Sequence, residues 1–141
     1  PLPLPRPPTP STLSRVRRQR QICIRDRLDL LLDAGATADS RDSFNGTGLI
    51  RAAERGYPRI IVRLLETDID VNHVNRLGWT ALHEAIVLGD GGPAHVQVVR
   101  LLVDAGADVN QAGHGQRPLT QATSRGYDEI AAVLRAAGAQ P

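Results

Sequence analysis

His83-Glu84-Ala85-Ile86-Val87 starts the way a zinc site of the H-E-x-x-H type starts, with an imidazole and a general-base carboxylate one residue apart. Val87 stands where the second imidazole must be, so the pattern holds no metal. The other histidines, His73, His95 and His114, have no ligand spacing. Asp90 and His95 bracket Gly91-Gly92 and could shape a small polar site, although that segment reads first as a tolerated surface loop. Gly46-Thr47-Gly48 and Gly113-His114-Gly115 each lack the third glycine of a dinucleotide loop. No lysine exists to serve a phosphate-binding loop, and no serine has the G-x-S-x-G setting. The single cysteine, Cys23, cannot close an internal disulfide and reads as a small apolar residue between Ile22 and Ile24. Without a catalytic, metal or cofactor constellation, the chain reads as a non-enzyme that takes no small-molecule substrate.

The elements that carry these residues repeat. Thr47 to Thr80, Leu49 to Leu82, Ala52 to Ala85, Gly56 to Gly89 and Asp39 to Asn72 are each 33 residues apart. Leu82 to Leu119, Ala85 to Ala122 and Gly89 to Gly126 are each 37. About five extra residues near Asp90-Gly91-Gly92-Pro93-Ala94 lengthen the middle unit, and one residue is missing after Asn110. Within a unit, Thr47, Thr80 and Pro118 suit the start of a first helix. Small alanines then allow neighbouring first helices to approach. Gly56, Gly89 and Gly126 suit a left-handed stop. Ile60, Ile61, Leu64 and Leu65, then Val98, Val99, Leu102 and Val103, then Ile130, Val133 and Leu134 mark the buried stripe of a second helix. Gly35, Gly106 and Gly138 close those second helices, and Asp68 stands where the remaining glycine should be, a departure expected to strain that cap.

Gly78-Trp79-Thr80-Ala81-Leu82-His83-Glu84-Ala85, followed by Val98-Val99-Arg100-Leu101-Leu102-Val103-Asp104-Ala105-Gly106-Ala107-Asp108-Val109-Asn110, resembles the ankyrin repeat, with its T-P-L-H-x-A turn and G-A-D-V-N exit. The resemblance covers roughly residues 28–141 and implies an all-α helical solenoid of about three and a half repeats with protruding β-turn loops. It divides the chain into a partial repeat at 28–41 and repeats at about 42–74, 75–111 and 112–141. It also implies that His83 ties neighbouring turns together by hydrogen bonds.

Residues 1–27 carry seven Arg against one acid, a net +6, whereas residues 28–141 carry ten Arg against fourteen acids, a net −4. The Pro-rich start, residues 1–10, should be extended and disordered. Three readings of 1–27 stand: a solvated leader or N-terminal cap with a basic helix over 14–27, a targeting segment, or an arm that binds nucleic acid or an anionic surface through residues 6–27. Exclusive use of Arg and abundant Ala, Gly and Pro point to a GC-rich, bacterial coding bias. No Met is present and no stretch is apolar enough to span a bilayer; the expected compartment is the cytoplasm, with periplasm or secretion open.

In proteins of the resembling family, partners bind the concave side, lined by the turns and the exposed face of the first helices. Carried onto this chain, that surface comprises Arg41, Phe44, Arg51, Arg55, Arg76, Leu77, Trp79, Glu84, Leu88, His114, Arg117, Gln121 and Arg125. Phe44, Leu77, Trp79 and Leu88 among arginines have the make-up of interface hot spots; packing on adjacent turns is the competing role for Trp79 and Leu77. The implied function is a non-enzymatic protein–protein interaction module, monomeric or weakly self-associating. The alternatives are binding through the basic arm and a regulatory domain of a larger enzyme or effector.

Overall fold

The computed structural model describes residues 10–141, with side chains at 19, 20 and 23–141. Among the described residues seven helices follow one another: α1 Pro10–Asp33, α2 Gly48–Arg55, α3 Pro58–Leu65, α4 Ala81–Val87, α5 Pro93–Asp104, α6 Pro118–Ser124 and α7 Asp128–Ala136. They form two layers. First helices α2, α4 and α6 pack on one another in order, as do α1, α3, α5 and α7, and each first helix lies on its own second helix. Between units the chain turns back in a short finger, and only isolated bridges occur there, Arg41 with Thr47 and Gly113 with Gln116.

Local chemistry starts the helices where expected. The Thr47 and Thr80 hydroxyls accept from Ile50 N–H and His83 N–H, satisfying donors that have no partner inside the helix. At Thr80 the cap is reciprocal, because His83 Nδ1 accepts from the Thr80 N–H at 3.3 Å. Pro118 opens α6 without a side-chain cap. Ala52, Ala53, Ala85 and Ala122 are buried between the first helices, and Ile61, Val98, Val99, Leu102, Ile130 and Leu134 fill the space between layers. Leu65, Val103 and Val133, expected in the same stripe, sit at its edge and are half-buried.

Helix endings depart from the expected pattern at two places. Gly35, Gly106 and Gly138 adopt φ of 87°, 91° and 85° and close α1, α5 and α7 with paired backbone bonds. At the corresponding end of α3, Asp68 is not left-handed. Thr67 instead returns both its N–H (3.0 Å) and its hydroxyl (2.6 Å) to the Leu64 carbonyl, so the cap is replaced and not strained. Gly89 is the second departure. Its φ is not positive, and α4 ends in ordinary helical geometry at Leu88. A Cβ at Gly89 would lie 2.1 Å from the Ala85 carbonyl oxygen and 2.6 Å from the His95 ring, so glycine is required there by close approach.

α1 runs unbroken from Pro10 through Arg27 to Asp33, so no change of secondary structure marks the boundary expected after residue 27. Arg63 of α3 ties it down, with Nε 2.5 Å from Asp29 and Nη2 3.7 Å from Asp33. Ile24 and Leu28 rest against the core. Among the described residues α1 has no first-layer partner, and Leu30 and Leu31 are exposed. Cys23 is exposed as well and does not act as apolar filler. The expected extended stretch at 1–9 lies outside the described residues.

Candidate binding surface

Each finger is anchored to its own first helix by one side-chain bridge. In the first, Arg51 Nε donates to Asp42 Oδ2 at 2.6 Å. In the second, Asn75 Nδ2 donates to Glu84 Oε1 at 2.7 Å. In the third, Gln121 Nε2 reaches the Gly113 carbonyl at 3.4 Å. The first two pairs are nine residues apart and the third is eight. Arg51, Glu84 and Gln121 occupy the same repeat position, so one structural task is performed by three chemistries. Asp42 and Asn75 also organise the finger backbone. Asp42 Oδ1 accepts from Phe44 and Gly46 N–H, and Asn75 Oδ1 from Leu77 and Trp79 N–H. The Gly46 N–H and then the Arg51 guanidinium hold the Asp42 carboxyl below its usual range.

This anchoring corrects two expected contact residues. Glu84 is 1 % exposed and Gln121 3 % exposed, because each finger folds over the side chain that holds it. Neither is available to a partner as the structure stands. Glu84 Oε2 and Gln121 Oε1 are buried without a hydrogen-bond partner. Burial raises the Glu84 pKa, and the Asn75 bond opposes this only in part.

Successive fingers are stitched together. Arg76 Nη1 donates to the Ser43 carbonyl at 2.8 Å, and the Arg76 N–H to the Phe44 carbonyl at 2.8 Å. The His73 ring nitrogen meets the Asn45 carbonyl at 2.7 Å. Trp79 packs edge-on against His114 of the next finger, with ring centroids 5.3 Å apart, and its Nε1–H is buried without a partner. His83 lies fully buried. Its Nδ1 binds Thr80, while Nε2 faces the backbone of Gln111 in the next finger without forming a well-directed hydrogen bond. Burial lowers its pKa more strongly than that backbone raises it.

The remaining expected residues are surface groups. Phe44, Leu77 and Leu88 are exposed. The Arg51 guanidinium sits 6.0 Å from the centre of the Phe44 ring. Arg41 binds Asp39 and Asn45, Arg117 binds the Pro141 carbonyl, and Arg125 binds the Gln121 carbonyl. Among the described residues Arg55 is the least engaged, approaching Glu54 at 3.8 Å. At the opposite edge, the base, the five-residue insertion is packed and not a loose loop. Gly91 lies under the Tyr127 ring, and the Tyr127 hydroxyl donates to the Gly89 carbonyl at 3.0 Å. The His95 ring spans Asp90 Oδ1 (2.8 Å) and the Glu54 carbonyl (3.1 Å), joining two units. No group of three or more metal-ligating side chains occurs among the described residues.

Two-layered helical units joined by fingers define a stacked helical-repeat protein, with its side chains graded from buried anchors to exposed tips. Residues 22–113 match the family profile for ankyrin repeats in three copies, and the chain belongs to that family. It is 43% identical over 122 residues to YahD of Escherichia coli (strain K12), itself described as an ankyrin repeat protein, covering 83% of this chain and 61% of that one. A solved ankyrin repeat domain from Acinetobacter baumannii AYE superposes with a TM-score of 0.78 at 47% identity, over 80% of this chain and 58% of the other. The human BCL-6 corepressor-like protein 1 is 37% identical over 97 residues, 67% of this chain and 5% of that protein. The chain thus spans about three fifths of the two bacterial relatives. Ankyrin repeats are generally protein–protein interaction modules without enzymatic activity of their own. No described helix is long and apolar enough to cross a membrane.

Proposed function

We propose that this protein is a non-enzymatic adaptor that binds a partner protein through the face formed by its finger tips and first helices. The observation that carries this reading is the apolar series Phe44, Leu77 and Leu88, exposed on fingers and helices whose backbones are held by internal bonds. Apolar groups presented on a rigid frame bind with little loss of conformational freedom. Trp79 supports the tips from below through His114, and the arginines around them supply polar rim contacts. A lone cysteine and the absence of a membrane-spanning helix among the described residues fit a cytoplasmic setting. Affinity capture from cell extract tests the reading, with the parent chain and a Phe44→Ala, Leu77→Ala double variant run in parallel. A partner retained by the first and lost by the second is the expected result. Equal retention by both would remove the tips from the interface.

A further inference from the structure

His95 follows the Asp90-Gly91-Gly92 insertion, and the partner-binding face does not use it. It is buried, 8% exposed, in a socket shaped to its ring. The ring lies between Gly56 and Gly89, which stand just past α2 and α4. A Cβ at Gly56 would come within 2.8 Å of Cε1, and one at Gly89 within 2.6 Å of Cδ2. Both carbon edges are thus packed, and both nitrogens face oxygen. Nδ1 is 2.8 Å from Asp90 Oδ1, and Nε2 is 3.1 Å from the Glu54 carbonyl. A carbonyl can only accept. Asp90 also only accepts, because the Gly92 N–H and then the His95 ring hold its carboxyl below the usual range and keep it ionised. A neutral imidazole has one N–H and satisfies one of these oxygens, leaving a lone pair pointed at the other. Only the imidazolium, with a proton on each nitrogen, makes both bonds.

We propose that His95 is a pH-dependent clasp between two units of the stack: the doubly protonated ring fastens the insertion to the α2–α3 junction, and loss of one proton opens one of its two bonds. Asp90 favours the second proton by direct contact, as a charge-assisted hydrogen bond. The other groups that face the ring come from three neighbours. Arg20 of α1 and Arg55 of α2 line the same cleft and oppose the proton, while the Glu54 carboxylate is already taken by Arg51 at 3.0 Å. Tyr57 lines the cleft at the α2–α3 junction, and the Tyr127 hydroxyl is committed to the Gly89 carbonyl. The packed socket prevents the ring from turning away, so a proton lost is a bond lost. The clasp therefore strengthens the joint between the two units in acid and gives up part of that strength as pH rises through the histidine range.

Ring-nitrogen NMR of the parent chain and of Asp90→Asn, with thermal melts of the parent and His95→Gln, tests the clasp between about pH 8 and about pH 5. Both His95 ring nitrogens should carry protons at the acid end, and the Gly92 amide signal should move with the ring. The Tm gap between parent and His95→Gln should widen by about 3 °C toward acid. His83 and Glu84 titrate in both chains and drop out of that difference. Asp90→Asn keeps an oxygen for the ring but removes the charge, so its His95 should lose the second proton at lower pH than in the parent. A ring with one proton throughout, a gap that stays constant or widens toward alkali, or an unchanged ring titration in Asp90→Asn overturns the proposal. Should His95→Gln fail to fold, the ring spectra of the other two chains still decide.

Discussion

At the fingers, Arg41, Arg51, Arg76 and Arg117 each donate to a group of the protein itself, whereas at the base Arg55 comes no nearer to Glu54 than 3.8 Å. The finger arginines thus hold shape, and Arg55 does so least. Two glycines show a second contrast. Gly78 turns a finger tip with φ 76° and open space where a Cβ would be, while Gly89 has an ordinary φ and no space at all. Room is set position by position: Gly113 in the third finger is crowded, 2.7 Å from the His83 ring, while Gly126 after α6 is open.

The largest expected effect tests that contrast directly. Gly89→Ala should lower stability by about 3 kcal/mol, because the methyl meets backbone as well as the His95 ring. Gly78→Ala should cost only about 1 kcal/mol, the penalty of a left-handed residue. Denaturant midpoints of the pair would decide, and equal losses would abolish the distinction. Asn75→Ala comes next, at about 2 kcal/mol, since it removes the acceptor of two finger N–H groups and leaves the Glu84 carboxylate buried without a donor.

Glu84 sharpens the comparison through pH. Burial raises its pKa above the ordinary 4.5, so between those values the folded state carries a proton that the unfolded chain lacks. Its stabilising share is therefore present below pH 4.5 and lost as pH climbs through the raised value. Glu84→Gln still accepts from Asn75 and removes that loss, so its advantage over the parent should grow from acid toward neutral pH in thermal melts. His83 works in the opposite sense: burial lowers its pKa, and stability falls as pH drops below the ordinary 6.5. The smallest effects concern the arginines themselves. Arg51→Ala should cost about 1 kcal/mol and Arg55→Ala less than about 0.5, so that Arg51 contributes measurably to stability and Arg55 hardly at all.

The exposure of Phe44, Leu77 and Leu88 was readable in advance because it follows repeat position. Glu84 and Gln121 were misread for a physical reason. Their position is outward-facing on an isolated helix, and only the finger folding back over it buries them. The complementary pairs Asp42 with Arg51 and Asn75 with Glu84, nine residues apart in consecutive units, were the signal that could have shown this. Asp90 and His95 were read as a surface loop because nothing local reveals that Tyr127 and the Glu54 carbonyl close over them.

Sequence by itself determined the repeat length, the threonine caps, the left-handed glycines after α1, α5 and α7, and the apolar stripes, since each depends on residues within a few positions of one another. Tertiary structure decided which polar residues became anchors, why Gly89 must be glycine, how α3 ends without one, and that His95 joins two units across the base. Those outcomes depend on groups brought together from different units, where burial and close approach are set by the stack and not by neighbours in the chain.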